Sequence, residues 1–257
     1  MTQETVVKTG LRKFDKLTGG IRSSDLVCIL SRPCQGKTAL ALDIAANVAL
    51  ARKPRPALLF LPEMSESDLL KRLLLGRPRL PVIGLLSKNG GLARLLTAGA
   101  RLPLEAPRGE TLYFHDAAGP RIEQIARASR RVARELRSKG RALGLVVIDP
   151  LQLIKGTREP SLSDAAARLK RLAREIGAPI LFTAPLTRRR GLGPDGEPRA
   201  EEMVRVTDIV AFLYRGGSRR GQRADSGAAE IVLAKNARVR TGAVPLRFAR
   251  ELARFRN

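Results

Sequence analysis

Short apolar runs alternate with longer amphipathic stretches through most of the chain. Runs rich in Val, Ile and Leu fall at 26–30, 57–61, 111–114, 145–148, 179–182, 209–214, 229–234 and 244–248. Their length and their β-branched content suit strands. Between the earlier runs lie stretches of helical spacing, among them 39–51, 65–74 and 122–136. This alternation predicts βαβ units: an α/β fold with a mainly parallel sheet and helices on both faces. The last strands are joined by short connections, which predicts an antiparallel C-terminal extension. Two segments rich in Gly, Pro and charge, 188–199 and 216–227, read as loops. Each follows a strand, and open α/β sheets bind ligands beyond the carboxyl ends of their strands.

The stretch 122–136 is sharply two-sided. Ile122, Ile125, Ser129, Val132, Ala133 and Leu136 share one helical face, and Arg127, Arg130, Arg131, Arg134 and Arg137 share the other. Two readings fit it: a solvated outer helix, or a stripe that faces DNA or a partner. Composition sharpens the question. The 257 residues carry 48 Lys plus Arg against 24 Asp plus Glu, a net charge of +24. Hydrophobic content of 44% supports a sizeable core and excludes disorder throughout. Two cysteines and one histidine exclude a disulfide framework and a Cys/His zinc cage. No apolar run approaches the roughly 20 residues that span a bilayer, and the start has no signal-peptide character. These features predict a soluble, cytoplasmic protein drawn to anions, as suits nucleic-acid binding.

The strongest chemical signal is Ser31-Arg32-Pro33-Cys34-Gln35-Gly36-Lys37-Thr38, between an apolar run and a helical one. Strand, loop and helix in that order are the context of a P-loop, with Ser31 where the general pattern has Gly. Such a loop presents backbone N–H groups to a phosphate at a helix N-terminus. Lys37 would reach the β- and γ-oxygens of ATP, and the Thr38 hydroxyl would complete a Mg²⁺ shell. Residues 145–148 followed by Asp149 have the form of a Walker B strand, whose carboxylate also serves the metal. Glu63 follows the run 57–61. If that strand neighbours the P-loop strand, Glu63 lies beside the phosphates and could take a proton from attacking water; taken alone, it reads more readily as an acid at a helix start. Cys34 is a candidate reactive thiol or a small loop filler, Cys28 a core residue, and His115 a ligand contact or a structural ring. The aromatic content of 4% makes phosphate contacts a better fit than base stacking.

Taken together, these motifs resemble the C-terminal RecA-like ATPase domain of DnaB-type replicative DNA helicases. Thr9-Gly10-Leu11, 14–20 and Ser24-Asp25-Leu26 resemble its opening segment, and 31–38 its Walker A, which commonly lacks the first Gly. Residues 61–65 resemble the segment with the catalytic Glu, and 147–153 the Walker B region, with Pro150 where Tyr is usual. Residues 208–215 and 229–248 resemble the closing strands. The resemblance implies one RecA-like motor domain over 1–257. It implies an ATP- and Mg²⁺-dependent helicase in DNA replication, acting on single-stranded DNA as a self-associated ring, a hexamer in that family. With eight residues before Thr9, it also predicts the absence of an N-terminal primase-docking domain, so that ring contacts or a helper replication protein must substitute.

Several positions depart from the family. Lys235-Asn236-Ala237 stands where the inter-subunit finger strand carries Lys-Gln-Arg, so the finger candidates are Lys235 and, one residue late, Arg238. In a continuous strand Arg238 would point to the opposite face unless a bulge or bend re-aims it. Ala184-Pro185-Leu186-Thr187-Arg188 replaces a segment whose Gln senses the γ-phosphate, a task Pro185 cannot perform. In the DNA loop only Arg199 offers a matching contact, with Glu201 and Glu202 near where the family has Ser-Gly. These losses sustain an alternative, an ATP-binding accessory or regulatory DNA-binding protein without coupled unwinding. A nucleic-acid-binding module with ATP as structural ligand is a third reading.

Overall fold

The computed structural model describes residues 5–75, 112–115, 119–154, 162–186, 205–216, 227–238 and 240–256. Strands are β1 (Val6–Val7), β2 (Ile21–Arg22), β3 (Leu26–Ser31), β4 (Ala57–Phe60), β5 (Leu112–His115), β6 (Leu145–Ile148), β7 (Ile180–Pro185), β8 (Ile209–Arg215), β9 (Ala228–Asn236), β10 (Gly242–Ala249) and β11 (Arg254–Arg256). Helices are α1 (Arg12–Thr18), α2 (Lys37–Ala49), α3 (Glu66–Leu75), α4 (Ile122–Ser138) and α5 (Leu162–Ile176). Among the described residues no helix is long and apolar enough to cross a membrane.

Nine strands form the main sheet in the order β11-β10-β9-β8-β3-β7-β6-β4-β5. Pairing is parallel from β8 to β5 and antiparallel from β8 out to β11. The expected parallel sheet with an antiparallel extension is therefore what forms. Strand parity divides the core. Val27 and Ile29 join α2 on one face, while Leu26, Cys28 and Leu30 join α4 and α5 on the other. Being buried on both faces explains why these strands read as continuous apolar runs. Burial also pushes the Cys28 thiol well up from its ordinary value, so it stays a neutral core group.

Some elements lie beyond the apolar pattern. The short β1–β2 pair and β11 carry too few apolar residues to register, and α1 is only two turns long. Strand β7 runs on to Pro185 and β9 to Asn236, past the apolar stretches that mark them. In β9 the register against β8 shifts at Ala234, between the pairs Ala211–Leu233 and Val210–Lys235. The opening segment is held by Asp15. Its carboxylate accepts the Thr9 N–H at 2.8 Å, the Thr9 hydroxyl at 2.9 Å and the Gly10 N–H at 3.0 Å. Burial raises the Asp15 carboxyl above its ordinary value, and these donors oppose the rise. Asn47 on α2 donates to the Thr9 carbonyl at 2.9 Å, tying this segment to the helix behind the P-loop.

Candidate functional site

Ser31 ends β3 as a buried strand residue. Positive φ falls instead at Cys34 (61°) and Gly36 (93°), so the loop needs no glycine at Ser31. Arg32, Pro33 and Cys34 are exposed, and Gln35 to Thr38 half-buried. Helix α2 begins at Lys37, two residues earlier than its apolar periodicity suggests. That start puts Lys37 and Thr38 in the first turn, where free N–H groups and the helix dipole favour an anion. Among the described residues, neither the Lys37 ammonium nor the Thr38 hydroxyl is drawn into a hydrogen bond or ion pair.

Asp149 follows β6 and is buried. Its carboxylate accepts the Thr183 hydroxyl from β7, and its N–H donates to the Phe60 carbonyl of β4 at 3.0 Å. One carboxylate oxygen is thus engaged in orienting the group. Pro185 pairs in register with Ser31, and the Leu186 N–H donates to the Ser31 carbonyl at 2.8 Å. Pro185, which the resemblance sets where a sensing Gln was expected, therefore abuts the P-loop and offers neither a side-chain amide nor an N–H. Thr187, Arg188, Arg199, Glu201, Glu202 and Asp116 lie outside the described residues.

The condition set for Glu63 is not met: β4 is not beside β3, because β7 and β6 lie between them. Strands that run consecutively in sequence are split by strands inserted later. Glu63 instead stands exposed in the turn past the end of β4, the strand that pairs with β6 ahead of Asp149. Ser31, Pro185, Asp149 and Glu63 thus follow one another along the carboxyl edge of the parallel strands. The donor types on this edge suit Mg²⁺: Thr38 and Asp149 would offer it one hydroxyl and one oriented carboxylate, and Mg²⁺ generally takes few protein ligands and completes its shell with phosphate and water. His115 packs on the Phe60 ring with centroids 5.1 Å apart, which suits its structural reading.

The P-loop is gripped from the antiparallel side by residues without a motif. The Arg215 N–H at the end of β8 donates to Gln35 Oε1, and Arg215 Nη2 donates to the Cys34 carbonyl at 2.7 Å. The same guanidinium lies 4.4 Å from the Phe248 ring centroid. Phe248 packs against Phe255, whose ring edge would stand 3.2 Å from a Cβ added at Gly36. Buried Asp43 on α2 holds Phe255 in place: its carboxylate accepts the Phe255 N–H at 2.6 Å and Arg254 Nε at 3.1 Å. Gly36 thus needs both its backbone freedom and its bareness.

The finger candidates sit at the other end of the sheet. Lys235 pairs with Val210 near the start of β8, and its ammonium donates to the Thr207 carbonyl at 2.6 Å. Strand β9 stops at Asn236, so Arg238 lies in a bend whose N–H donates to Asn236 Oδ1 at 3.0 Å. Strand alternation therefore does not govern Arg238. Its guanidinium forks onto Asp25, which is only 1% exposed. Neither cation reaches its own P-loop.

Comparison with known proteins fits this geometry. A family model described as the DnaB-like helicase C terminal domain matches residues 6–257. The replicative DNA helicase DnaC of Bacillus subtilis (strain 168) is 29% identical, and the replicative DNA helicase DnaB of Geobacillus stearothermophilus is 31% identical. Each alignment covers 98% of this chain and 57% of the relative, so the chain spans little more than half their length. A solved ATPase domain superposes with a TM-score of 0.75 at 24% identity, covering 98% of this chain and 91% of that one. A DnaB-like replicative helicase solved in a study of its interactions with primase gives 0.74 at 24% identity, covering 98% and 61%. The fold is RecA-like, and the chain belongs to the family of DnaB-like helicase C-terminal domains.

Proposed function

We propose that this chain is the motor of an ATP-dependent DNA helicase, coupling ATP hydrolysis to movement along single-stranded DNA in replication. The observation that carries the reading is the carboxyl edge, where Lys37 and Thr38, without a partner among the described residues, share one rim with an oriented Asp149. In the mechanism this supports, the P-loop N–H groups and Lys37 bind the β- and γ-phosphates of ATP. Thr38 and Asp149 hold Mg²⁺, which when bound neutralises charge developing on the phosphate oxygens. Glu63, exposed in the turn that follows the neighbouring strand β4, orients water and takes its proton. Thr183 keeps the Asp149 carboxylate turned for its task. Lys235 and Arg238, held at the amino end of the sheet by Thr207 and Asp25, would serve as fingers only for a neighbouring subunit in a ring, and only after leaving those partners. We further propose that the protein works in the cytoplasm, with DNA, other copies of itself and a helper replication protein as partners.

The test is the ATPase rate with and without single-stranded DNA for wild type, Lys37→Ala and Glu63→Gln. DNA-stimulated hydrolysis in wild type, lost in both variants, is the expected result. A wild-type rate no higher than the variants with DNA present would sink the motor reading and leave the accessory role. That outcome has a ready cause, because an arginine finger can contribute about 10³–10⁵ in rate and the aligned position holds Ala237.

A further inference from the structure

The arginine face of α4 meets α5 on the side of the sheet opposite α2, and the two helices flank an open groove of about 550 Å³. Arg127, Arg130 and Arg134 line it from α4, and Arg168 and Arg171 from α5. Two carboxylates stand among them. Glu175 accepts Arg130 Nε at 2.6 Å and Nη2 at 2.8 Å, and Glu123 is paired with Arg168. Among the described residues Arg127, Arg134 and Arg171 have no partner, so the groove keeps three uncompensated positive charges.

We propose that this groove binds the phosphodiester backbone of nucleic acid, as a contact track separate from the ATP site. Three observations favour that ligand. First, Arg127, Arg130 and Arg134 recur about once per helical turn, roughly 5 Å apart along the axis. They form a row, which suits a polymer of anions better than a single ion. Second, the groove already seats an oxyanion in a two-point guanidinium fork, at Arg130 and Glu175. Phosphate offers the same paired oxygens and the same bidentate geometry. Third, Ile122, Leu169 and Leu172 are buried beneath the arginines, and among the described residues no aromatic side chain lines the groove. A protein partner would need an apolar or aromatic anchor there. Backbone contacts need none and carry little sequence preference. Glu123 and Glu175 act as internal counter-ions that keep the track weak until phosphate displaces them.

The proposal rests on the motor reading only in taking nucleic acid as the polymer met, so the test uses no ATP. Binding of labelled single-stranded and duplex oligonucleotides is measured from about 50 to 200 mM salt. The groove variant Arg127→Ala/Arg134→Ala/Arg171→Ala is compared with a charge-matched control, Arg12→Ala/Lys13→Ala/Arg52→Ala, exposed outside the groove. At about 0.7 of slope per single-strand phosphate contact, the groove variant should flatten log K against log salt by about 2, while the control stays near wild type. Glu123→Gln/Glu175→Gln frees two arginines and should bind more tightly, with a slope steeper by about 1.4. A misfolded variant would not produce that gain. An unchanged slope in the groove variant, or an equal loss in the control, overturns the proposal. So does loss of polyglutamate binding with oligonucleotide binding intact, which would make the groove a site for an acidic protein. Failure of the ATPase assay above would leave this result untouched.

Discussion

The two ends of the parallel sheet treat their charges in opposite ways. At the amino end Arg238 forks onto Asp25, while Lys170 Nζ reaches Asp208 at 2.6 Å and the Ser24 carbonyl at 2.8 Å. Asp208 also accepts the Leu26 N–H at 2.7 Å. These groups are spent on joining β3, β8, β9 and α5. At the carboxyl end Lys37 and Thr38 are left unengaged among the described residues, the Asp149 carboxylate is held by one bond, and Arg215 is tied down only onto the P-loop itself. Charge that is satisfied holds the sheet together; charge held ready at a helix start can act on a ligand. The contrast also bears on Arg238. Serving a neighbour's site would require it to leave a buried carboxylate, so any finger role competes with cohesion.

The largest expected effect tests the cohesive end. Asp25→Ala takes the carboxylate out of the Arg238 fork and removes an acceptor from the Arg22 N–H, which donates to Asp25 Oδ2 at 2.8 Å. Breaking such a buried pair should cost about 3–5 kcal/mol in denaturant unfolding. ATP affinity per folded molecule should be unchanged. A variant that loses affinity while keeping stability would erase the division between the two ends.

Lys37→Ala is the mirror experiment. Loss of one such electrostatic contact should lower kcat by about 10²–10³. Because the ammonium has no partner among the described residues, the melting temperature should hold within about 2 °C, as for surface changes of under about 0.5 kcal/mol. A large stability loss here would mean that the carboxyl end is also structural.

The two ends differ in how far they can be read from sequence. Ser31–Thr38, Asp149 and Glu63 stand out because phosphate and metal chemistry demands particular residues at particular spacings. The α4 stripe stands out because burial imposes a period of 3.6. Strand order is not periodic, so the sequence leaves open whether Glu63 follows a strand beside the P-loop; that strand lies three positions along the sheet. Arg215, Phe255 and Asp43 carry no signal: an Arg closing a strand and an Arg-Phe-Arg tail look like solvent-facing chain. Their roles arise only when β8 and β11 are brought to the P-loop and α2 across 180 or more residues of sequence. The place of Arg238 is illegible for a local reason, since the strand ends two residues before it.

Arg215 offers a finer division within the carboxyl end, between residues that touch phosphate and residues that shape the loop. Arg215→Ala removes the donor to the Cys34 carbonyl and the stacking on Phe248. Net, a hydrogen bond from a charged donor is worth about 1.5–3 kcal/mol. Part of that should appear as a roughly tenfold weaker ATP affinity, measured by fluorescence titration, with the ATP-saturated rate changing less. An equal fall in the saturated rate would instead make Arg215 a group that acts on the reacting phosphate.

The smallest expected effect separates loop shape from loop chemistry. Cys34 holds φ at 61°, a left-handed conformation that costs an L residue about 1–2 kcal/mol and glycine almost nothing. Cys34→Gly removes that strain but raises the entropy of the unfolded chain, which offsets roughly 0.5–1 kcal/mol of the gain. The side chain is exposed, so little packing is lost with it. The net change should be a stabilisation of no more than about 1.5 kcal/mol, a shift in melting temperature of about 3–6 °C at most for a domain of this size. ATP affinity should stay within about twofold, because the Cys34 carbonyl that Arg215 grips belongs to the backbone and survives the substitution. If Cys34→Gly weakens ATP binding as much as Arg215→Ala should, then the left-handed turn is rigid only because a side chain occupies it. The loop would then owe its shape to Cys34 as much as to the Arg215 clamp.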